Sequence, residues 1–245
     1  MNPRPLRIPA GVSAKKNILE VLYDVYSSWV QYFPLVCRLG CTACCTQTVT
    51  MTSLEGAVII DFVTSLGREK WLDQKLSQPT FGKTSPAITT NQFAAACLEA
   101  REISEEAFGN RNLNPCIFLE NGQCSIYQAR PFGCRSFYSQ VECTSGGTAV
   151  ITPLHLAVNT AFTQIIEHFD SDGGTCGTLT DVLRSLAGHQ TDLPIPRILQ
   201  ARQLPGFLLD SDELPVVKQL LHRLHEASGG NETFGDLIDN FLSIE

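Results

Sequence analysis

The first regular pattern in the chain is an apolar stripe with helical spacing near its amino end. Four residues recur every three or four positions, as on one face of an α-helix: Ile18, Leu22, Val25 and Trp29. Pro34 cannot continue a helix, so we predict one between Ala14 and Phe33.

Two further helices are predicted from signals at their amino ends. Thr52 and Glu55 have the spacing of a capping box, in which each residue accepts a hydrogen bond at the first turn, so a helix should follow over 54–66. Asn91 is expected to cap another helix. Its apolar face would contain Phe93, Ala96, Ala100, Ile103 and Ala107.

The dipeptide Asn121-Gly122 predicts a β-hairpin, because both residues tolerate the positive φ angles of a type I′ turn. A two-residue turn pairs Leu119 with Cys124 and Cys116 with Tyr127. An ideal ribbon with that register places the two sulfurs on opposite faces, so either the ribbon bulges or the two cysteines serve different purposes.

The last hundred residues are mostly helical by the same reasoning. One strand is possible over 149–152, and four helices are predicted at 154–169, 178–187, 213–227 and 233–243. The expected fold is mainly α with a small β-hairpin, in which cysteine-rich metal-binding loops pack on a helical body. We expect a cysteine-cluster region with amino-terminal helices over 1–147 and a helical region over 148–245, packed as one compact unit.

Composition argues against several classes of protein, namely nucleic-acid binders, membrane-spanning proteins and secreted proteins. The formal charge of -7 is unlike that of a general nucleic-acid binder, which needs an excess of Lys and Arg to neutralise phosphates. No apolar run approaches the roughly 20 residues that cross a bilayer. The first residues have no apolar core of a secretory signal, so we expect a cytoplasmic protein without nucleic-acid or membrane partners.

Cysteine is the residue type that most clearly indicates chemistry. Nine of the 10 cysteines lie between Cys37 and Cys143. In a reducing compartment, thiols clustered at short spacings more often hold a metal or a cluster than form disulfides. The predicted metal ligands are Cys37, Cys41, Cys44, Cys45, Cys116, Cys124, Cys134 and Cys143.

The number and spacing of these ligands leave the arrangement open. Eight thiolates are twice what one tetrahedral ion or one four-cysteine cluster requires, so a second site is possible. Adjacent side chains diverge, so Cys44 and Cys45 should not both face one ion, unless the site holds more than one metal. Arg38, Arg130 and Arg135 lie beside the cysteines in sequence and would offset the charge of a thiolate site, or they are ordinary surface residues.

These motifs resemble those of the YkgJ-type CxxCxxCC cysteine cluster family, which is described as a zinc- or iron-chelating domain. The similar segments are Cys41-Thr-Ala-Cys44-Cys45, Ser53-Leu-Glu55 and the stretch from Pro115 through Cys124, Tyr127, Arg130-Pro131 and Cys134 to Arg135. The match spans 37–143, under half of the chain. It implies metal chelation by the cysteines and no particular reaction, and the first spacer is one residue longer here than in the family.

Several functions remain open at this point. The first is binding of an iron-sulfur cluster or zinc, with a slight preference for iron-sulfur, because only one C-x2-C pair is present and structural zinc usually uses two. The second is a structural zinc module whose helical carboxyl half binds a protein partner. The third is an enzyme, since flagellin lysine N-methylases carry a similar cluster. The least favoured is a radical S-adenosylmethionine enzyme, for which the strands around the motif are missing.

Overall fold

The computed structural model describes residues 12–38, 40–79, 85–109, 114–143, 149–188 and 197–241. Within these residues the chain is mainly α with a little β structure, as the sequence predicts. The α-helices are α1 (Val12–Val30), α2 (Ser53–Ser65), α3 (Glu69–Leu76), α4 (Thr90–Leu98), α5 (Phe132–Arg135), α6 (Pro153–Phe169), α7 (Leu179–Leu186), α8 (Leu214–Ala227) and α9 (Glu232–Phe241). The strands are β1 (Thr50–Thr52), β2 (Leu119–Glu120), β3 (Gln123–Cys124), β4 (Thr175–Thr178) and β5 (Leu199–Gln200). None of the described helices is both long enough and apolar enough to cross a membrane.

The larger hydrophobic core joins helices α1, α6, α8 and α9. Leu22 and Val25 of the predicted stripe are buried in it, and Trp29 packs on it. Phe132, the first residue of α5, also belongs to this core. Its ring lies 4.8 Å from that of Tyr26 and 5.8 Å from that of Phe162. The core therefore anchors a short helix that carries Cys134.

A second core lies under the hairpin. It contains residues of α2, α3 and α7 together with Phe118 and Ile126, which flank the strands β2 and β3. Phe118 is completely buried and packs against Trp71, with the ring centroids 5.7 Å apart. The hairpin is thus fixed to the helical body by its apolar side.

A three-stranded antiparallel sheet connects distant parts of the chain and was not predicted. β4 lies in the middle and pairs Thr178 with Thr50 of β1 and Cys176 with Leu199 of β5. The strand predicted at 149–152 is wrong. Residues 149–151 have no regular structure, although the N–H of Gln140 donates to the carbonyl of Val150, and Thr152 caps α6.

The capping box at α2 is confirmed, whereas the start of α4 differs from the prediction. Thr89, not Asn91, caps α4 and forms a capping box with Gln92. The helix ends at Leu98, because Ala100 adopts a φ of 52°, and its predicted extension to 107 is wrong. The Asn91 side chain instead donates to the carbonyl of Gln164 at 3.0 Å and to that of Arg202 at 2.8 Å.

His155 of α6 is an ionisable residue inside the larger core. It is fully buried, its ring lies 5.0 Å from Trp29 and 4.9 Å from Phe33, and neither ring nitrogen has a hydrogen-bond partner among the described residues. Burial lowers its pKa from the ordinary value of 6.5. The folded chain therefore resists a proton that the unfolded chain accepts.

Replacing His155 with phenylalanine should remove part of the pH dependence of stability. Below about pH 6.5 the unfolded wild type gains a proton at this ring. The free energy of unfolding therefore decreases as the pH decreases, by at most about 1.4 kcal/mol per pH unit. The variant cannot take up that proton. Urea unfolding is measured at about pH 7.0 and about pH 5.5, on either side of the ordinary histidine pKa. The decrease in the free energy of unfolding between the two should be larger for the wild type than for the variant. Equal losses in the two proteins would contradict this role of His155.

Candidate metal centre

The predicted cysteines gather around one cavity of about 360 Å³, here called the cysteine cavity. Seven of the eight line it: Cys37, Cys41, Cys44, Cys45, Cys116, Cys124 and Cys134. Cys143 does not, although its thiol lies close enough to Cys37 to help raise the pKa of that residue, after the larger effect of burial. Two cysteine segments separated by about 70 residues of sequence therefore meet in space.

Backbone hydrogen bonds hold the two segments together. The N–H of Cys116 donates to the carbonyl of Cys45 at 2.9 Å, and the N–H of Gln47 donates to the carbonyl of Asn114 at 3.0 Å. An isolated antiparallel bridge pairs Thr46 with Pro115. These contacts place Cys45 directly beside Cys116.

The hairpin has the predicted turn but a shorter ladder than an ideal ribbon. Asn121 and Gly122 both have positive φ angles, 50° and 74°, and Leu119 pairs with Cys124 as predicted. The ladder ends at that pair, and the N–H of Leu119 donates to the carbonyl of Cys116 in a tight turn. Cys116 therefore curls back toward Cys124, and the predicted placement of the two sulfurs on opposite faces does not hold, since both line the cavity.

Backbone amides donate to the sulfurs of these two cysteines. The N–H of Phe118 donates to Cys116, and the N–H of Ile126 donates to Cys124, two residues further along in each case. Hydrogen bonds from backbone amides stabilise thiolates, and groups around a metal orient its ligands in this way. The hairpin thus presents two oriented thiols to the cavity.

Cys134 reaches the cavity from α5, which is held on two sides. The N–H of Phe132 donates to the buried carboxylate of Glu55 at 2.7 Å. On the other side Gly133 lies against β1, where an added Cβ would lie 2.9 Å from the carbonyl oxygen of Thr50. The sequence identifies Glu55 as a helix cap but gives no sign that it also fixes the helix that carries Cys134.

Only one of the three predicted arginines lies among the thiols. The guanidinium of Arg130 stacks 4.0 Å from the ring centroid of Tyr127. The hydrogen bond with Cys45 raises the pKa of Cys44, burial raises the pKa of Cys124 and Cys134, and the charge of Arg130 offsets part of each rise. Its Nε is buried and lacks a hydrogen-bond partner among the described residues. A buried donor without a partner is costly, which favours an anionic group in the cavity.

The other two arginines face elsewhere. Arg135 stacks on Tyr23 at 4.4 Å and donates to the carbonyls of Arg130 and Gln128, so it supports the local backbone. Arg38 lies at the rim of the cavity in an exposed ion pair with Glu142 at 3.6 Å. An exposed pair of this kind contributes little to stability.

The adjacent thiols of Cys44 and Cys45 are in contact. Their hydrogen bond is the largest influence on both residues, raising the pKa of Cys44 and lowering that of Cys45. Both residues line the cavity, so neither points away from it, and the alternative with more than one metal stays a prediction. Burial is the dominant effect elsewhere in the cavity and raises the pKa of Cys116, Cys124 and Cys134.

All ten cysteines are free thiols. As they stand, no three His, Cys, Asp or Glu side chains in the described parts of the chain are grouped so that they could hold a metal ion. Sulfur ligands of zinc lie about 2.3 Å from the ion, so binding requires the thiols to rotate inward. The donor set nevertheless fits a thiophilic metal or an iron-sulfur cluster, since it combines clustered thiols, amides that donate to sulfur and one partly buried cation.

The two cysteines outside the predicted ligand set lie apart from the cavity. Cys97 is exposed on α4. Cys176 is in β4 and lines a second cavity of about 340 Å³ with Glu55 and Glu167. Neither residue borders the cysteine cavity.

Comparisons with known proteins find no matching family model, no matching curated protein and no matching solved structure. The resemblance to the YkgJ-type cysteine cluster family therefore stays a prediction from the motifs of the sequence. The function has to be argued from the cavity itself.

Proposed function

We propose that this chain is a metal-binding protein that holds an iron-sulfur cluster or zinc through its clustered cysteines. The observation that carries the proposal is the cysteine cavity, where seven thiols from two distant segments surround one space. The chain is long enough to bury a core without metals or disulfides, so folding alone does not require these thiols. Their concentration around one cavity therefore needs another explanation. The similarity to the YkgJ-type family supports the same function.

Arg130 adds support of a different kind. A site with four thiolates and a divalent metal, or with an oxidised four-iron cluster, carries a net negative charge. The Arg130 guanidinium lies near three of the thiols and has a buried N–H without a partner among the described residues. A charged metal-thiolate centre would satisfy both the charge and the donor.

We place an iron-sulfur cluster first and zinc second. Only one pair, Cys41 and Cys44, has the C-x2-C spacing of a zinc knuckle, whereas structural zinc sites usually have two. The cavity of about 360 Å³ lies within the range of small-molecule sites, so its size leaves room for a group larger than one ion. We further propose that the protein works in the cytoplasm, where thiols are kept reduced.

Anaerobic purification tests the proposal directly. We expect a brown protein with absorbance near about 400 nm that dithionite bleaches, together with iron and sulfide in elemental analysis. A colourless protein with stoichiometric zinc would favour the second alternative. A reduced protein that retains neither metal and cannot be loaded with either would contradict the proposal.

Cys97→Ser and Cys176→Ser serve as matched controls for that measurement. Each variant removes a thiol that does not border the cysteine cavity. We expect the same metal content as in the wild type. A loss in either variant would show that the ligand set has been chosen wrongly.

A further inference from the structure

The cysteines around the cavity fall into two sets that are held by different contacts. The first set begins with Cys37, whose segment lies along residues 139–142. The N–H of Val36 donates to the carbonyl of Ser139 at 3.0 Å, and the N–H of Ser139 donates to the sulfur of Cys37. Arg38, which follows Cys37, pairs with Glu142, which precedes Cys143. These contacts bring Cys37 close to Cys143.

The second set is built around Cys45. Cys116 lies beside Cys45, because its N–H donates to the Cys45 carbonyl. The hairpin register adds Cys124, so these three cysteines approach from one side. Cys134 approaches from α5, which packs on β1 through Gly133. This set is tied into the folded body of the protein, whereas Cys41 and Cys44 are exposed at the mouth of the cavity.

Exposure divides the cysteines in the same way. Cys41 and Cys44 are exposed and follow Cys37 on the same loop, whereas Cys45, Cys116, Cys124 and Cys134 are partly buried. Each set contains four sulfurs.

We propose that the eight cysteines form two metal centres: an inner centre of Cys45, Cys116, Cys124 and Cys134, and an outer centre of Cys37, Cys41, Cys44 and Cys143. This inference rests on the proposed function and specifies its stoichiometry. Four thiolates complete either a tetrahedral zinc site or a four-iron cluster, so eight thiolates complete two. The division also assigns the adjacent pair Cys44 and Cys45, which both line the cavity, to different centres, as the alternative with more than one metal requires.

The two centres should differ in lability. The inner cysteines are partly buried, and two of them receive hydrogen bonds from hairpin amides. The outer centre includes two exposed cysteines. A chelator in solvent should therefore remove metal from the outer centre first.

Zinc titration of the wild-type protein tests the inference without any substitution. The reduced, metal-free chain is titrated with zinc, and at each step a thiol-alkylating reagent and mass spectrometry report which cysteines are protected. We expect protection in two steps, with the inner four protected by the first equivalent and the outer four by the second. Parallel protection of all eight would overturn the two-centre inference and leave the proposed function intact.

Complete absence of protection has a separate meaning. It overturns the two-centre inference, and if the anaerobic preparation also lacks iron, the proposed function fails with it. The two failures are thus distinguishable.

Paired variants provide a second measurement. Serine at all four outer positions should leave one zinc per chain, and serine at all four inner positions should leave the other. The double variant C97S/C176S is the control for removal of thiols outside both centres, and far-ultraviolet circular dichroism checks the fold. Loss of all zinc from both quadruple variants, with their helix content retained, would indicate one shared centre and overturn the inference.

Discussion

Replacing Cys134 with serine should lower the metal content of the protein by at least half. The loss should be about half if the inner centre is separate and nearly complete if all eight thiols serve one centre. Removal of a group that only supports a ligand already weakens metal binding by about 10- to 100-fold, so loss of a ligand should cost at least about 100-fold. Metal analysis after gel filtration measures the effect.

Cys134 is the most informative position for this experiment. It lies on α5 and lines the cavity. Burial raises the pKa of its thiol, and the nearby thiols of Cys116, Cys124 and Cys44 raise it further. Serine is similar in size to cysteine, so the helix should remain. Cys124→Ser, Cys41→Ser and Cys44→Ser should also release metal, and full retention in all four variants would mean that other residues are the ligands.

Replacing Glu55 with alanine should destabilise the metal-free protein by about 3 kcal/mol or more. The Glu55 carboxylate is 3% exposed and accepts four hydrogen bonds. Its donors are the Tyr23 hydroxyl at 3.0 Å, the Thr52 N–H at 2.8 Å, the Thr52 hydroxyl at 3.1 Å and the Phe132 N–H at 2.7 Å. Each buried donor left without a partner costs about 1 to 3 kcal/mol. Urea unfolding followed by circular dichroism gives the free energy of unfolding.

Two further variants serve as controls for the effect of Glu55→Ala on stability. Glu55→Gln keeps the shape and one acceptor oxygen, so it should cost less than alanine. Glu69→Ala removes an exposed carboxylate from the first turn of α3 and should change stability by no more than about 0.5 kcal/mol. If Glu55→Ala were no more destabilising than Glu69→Ala, the four hydrogen bonds would not contribute as argued.

The parts of the fold that the sequence predicts are those set by short-range signals. The stripe that begins at Ile18, the capping box of Thr52 and Glu55, and the turn at Asn121 and Gly122 each act within a few residues, and each has the predicted structure. The end of α4 is different. An alanine at a positive φ angle has no local signal, since Ala100 is a residue type that normally favours a helix.

For the site, the sequence identifies the thiols but not their neighbours. Short spacers and two dense segments indicate which cysteines could bind metal, and seven of them share one cavity. Adjacency in sequence gives Arg38, Arg130 and Arg135 equal weight, yet only Arg130 reaches the thiols. The difference depends on tertiary contacts, because Arg135 stacks on Tyr23 and Arg38 lies at the rim of the cavity in an exposed ion pair with Glu142.

The three-stranded sheet is the part of the fold that is hardest to predict from the sequence. Its strands are two to four residues long, too short for an alternating pattern, and β1 pairs with a strand more than a hundred residues away. The central strand, Thr-Cys-Gly-Thr, has little apolar content. The helices α2 and α7, which directly follow β1 and β4, pack against each other beside these strands.

The close approach of Gly133 to the carbonyl oxygen of Thr50 connects this sheet to the thiols. Gly133 immediately precedes Cys134, so the distance between helix and strand determines where that sulfur lies. A single methyl group at position 133 would push against backbone atoms, which cannot rotate aside as a side chain can. If the proposed function is right, the protein could therefore keep every one of its cysteines and still fail to bind metal, through a substitution that alters no sulfur, no charge and no polar atom.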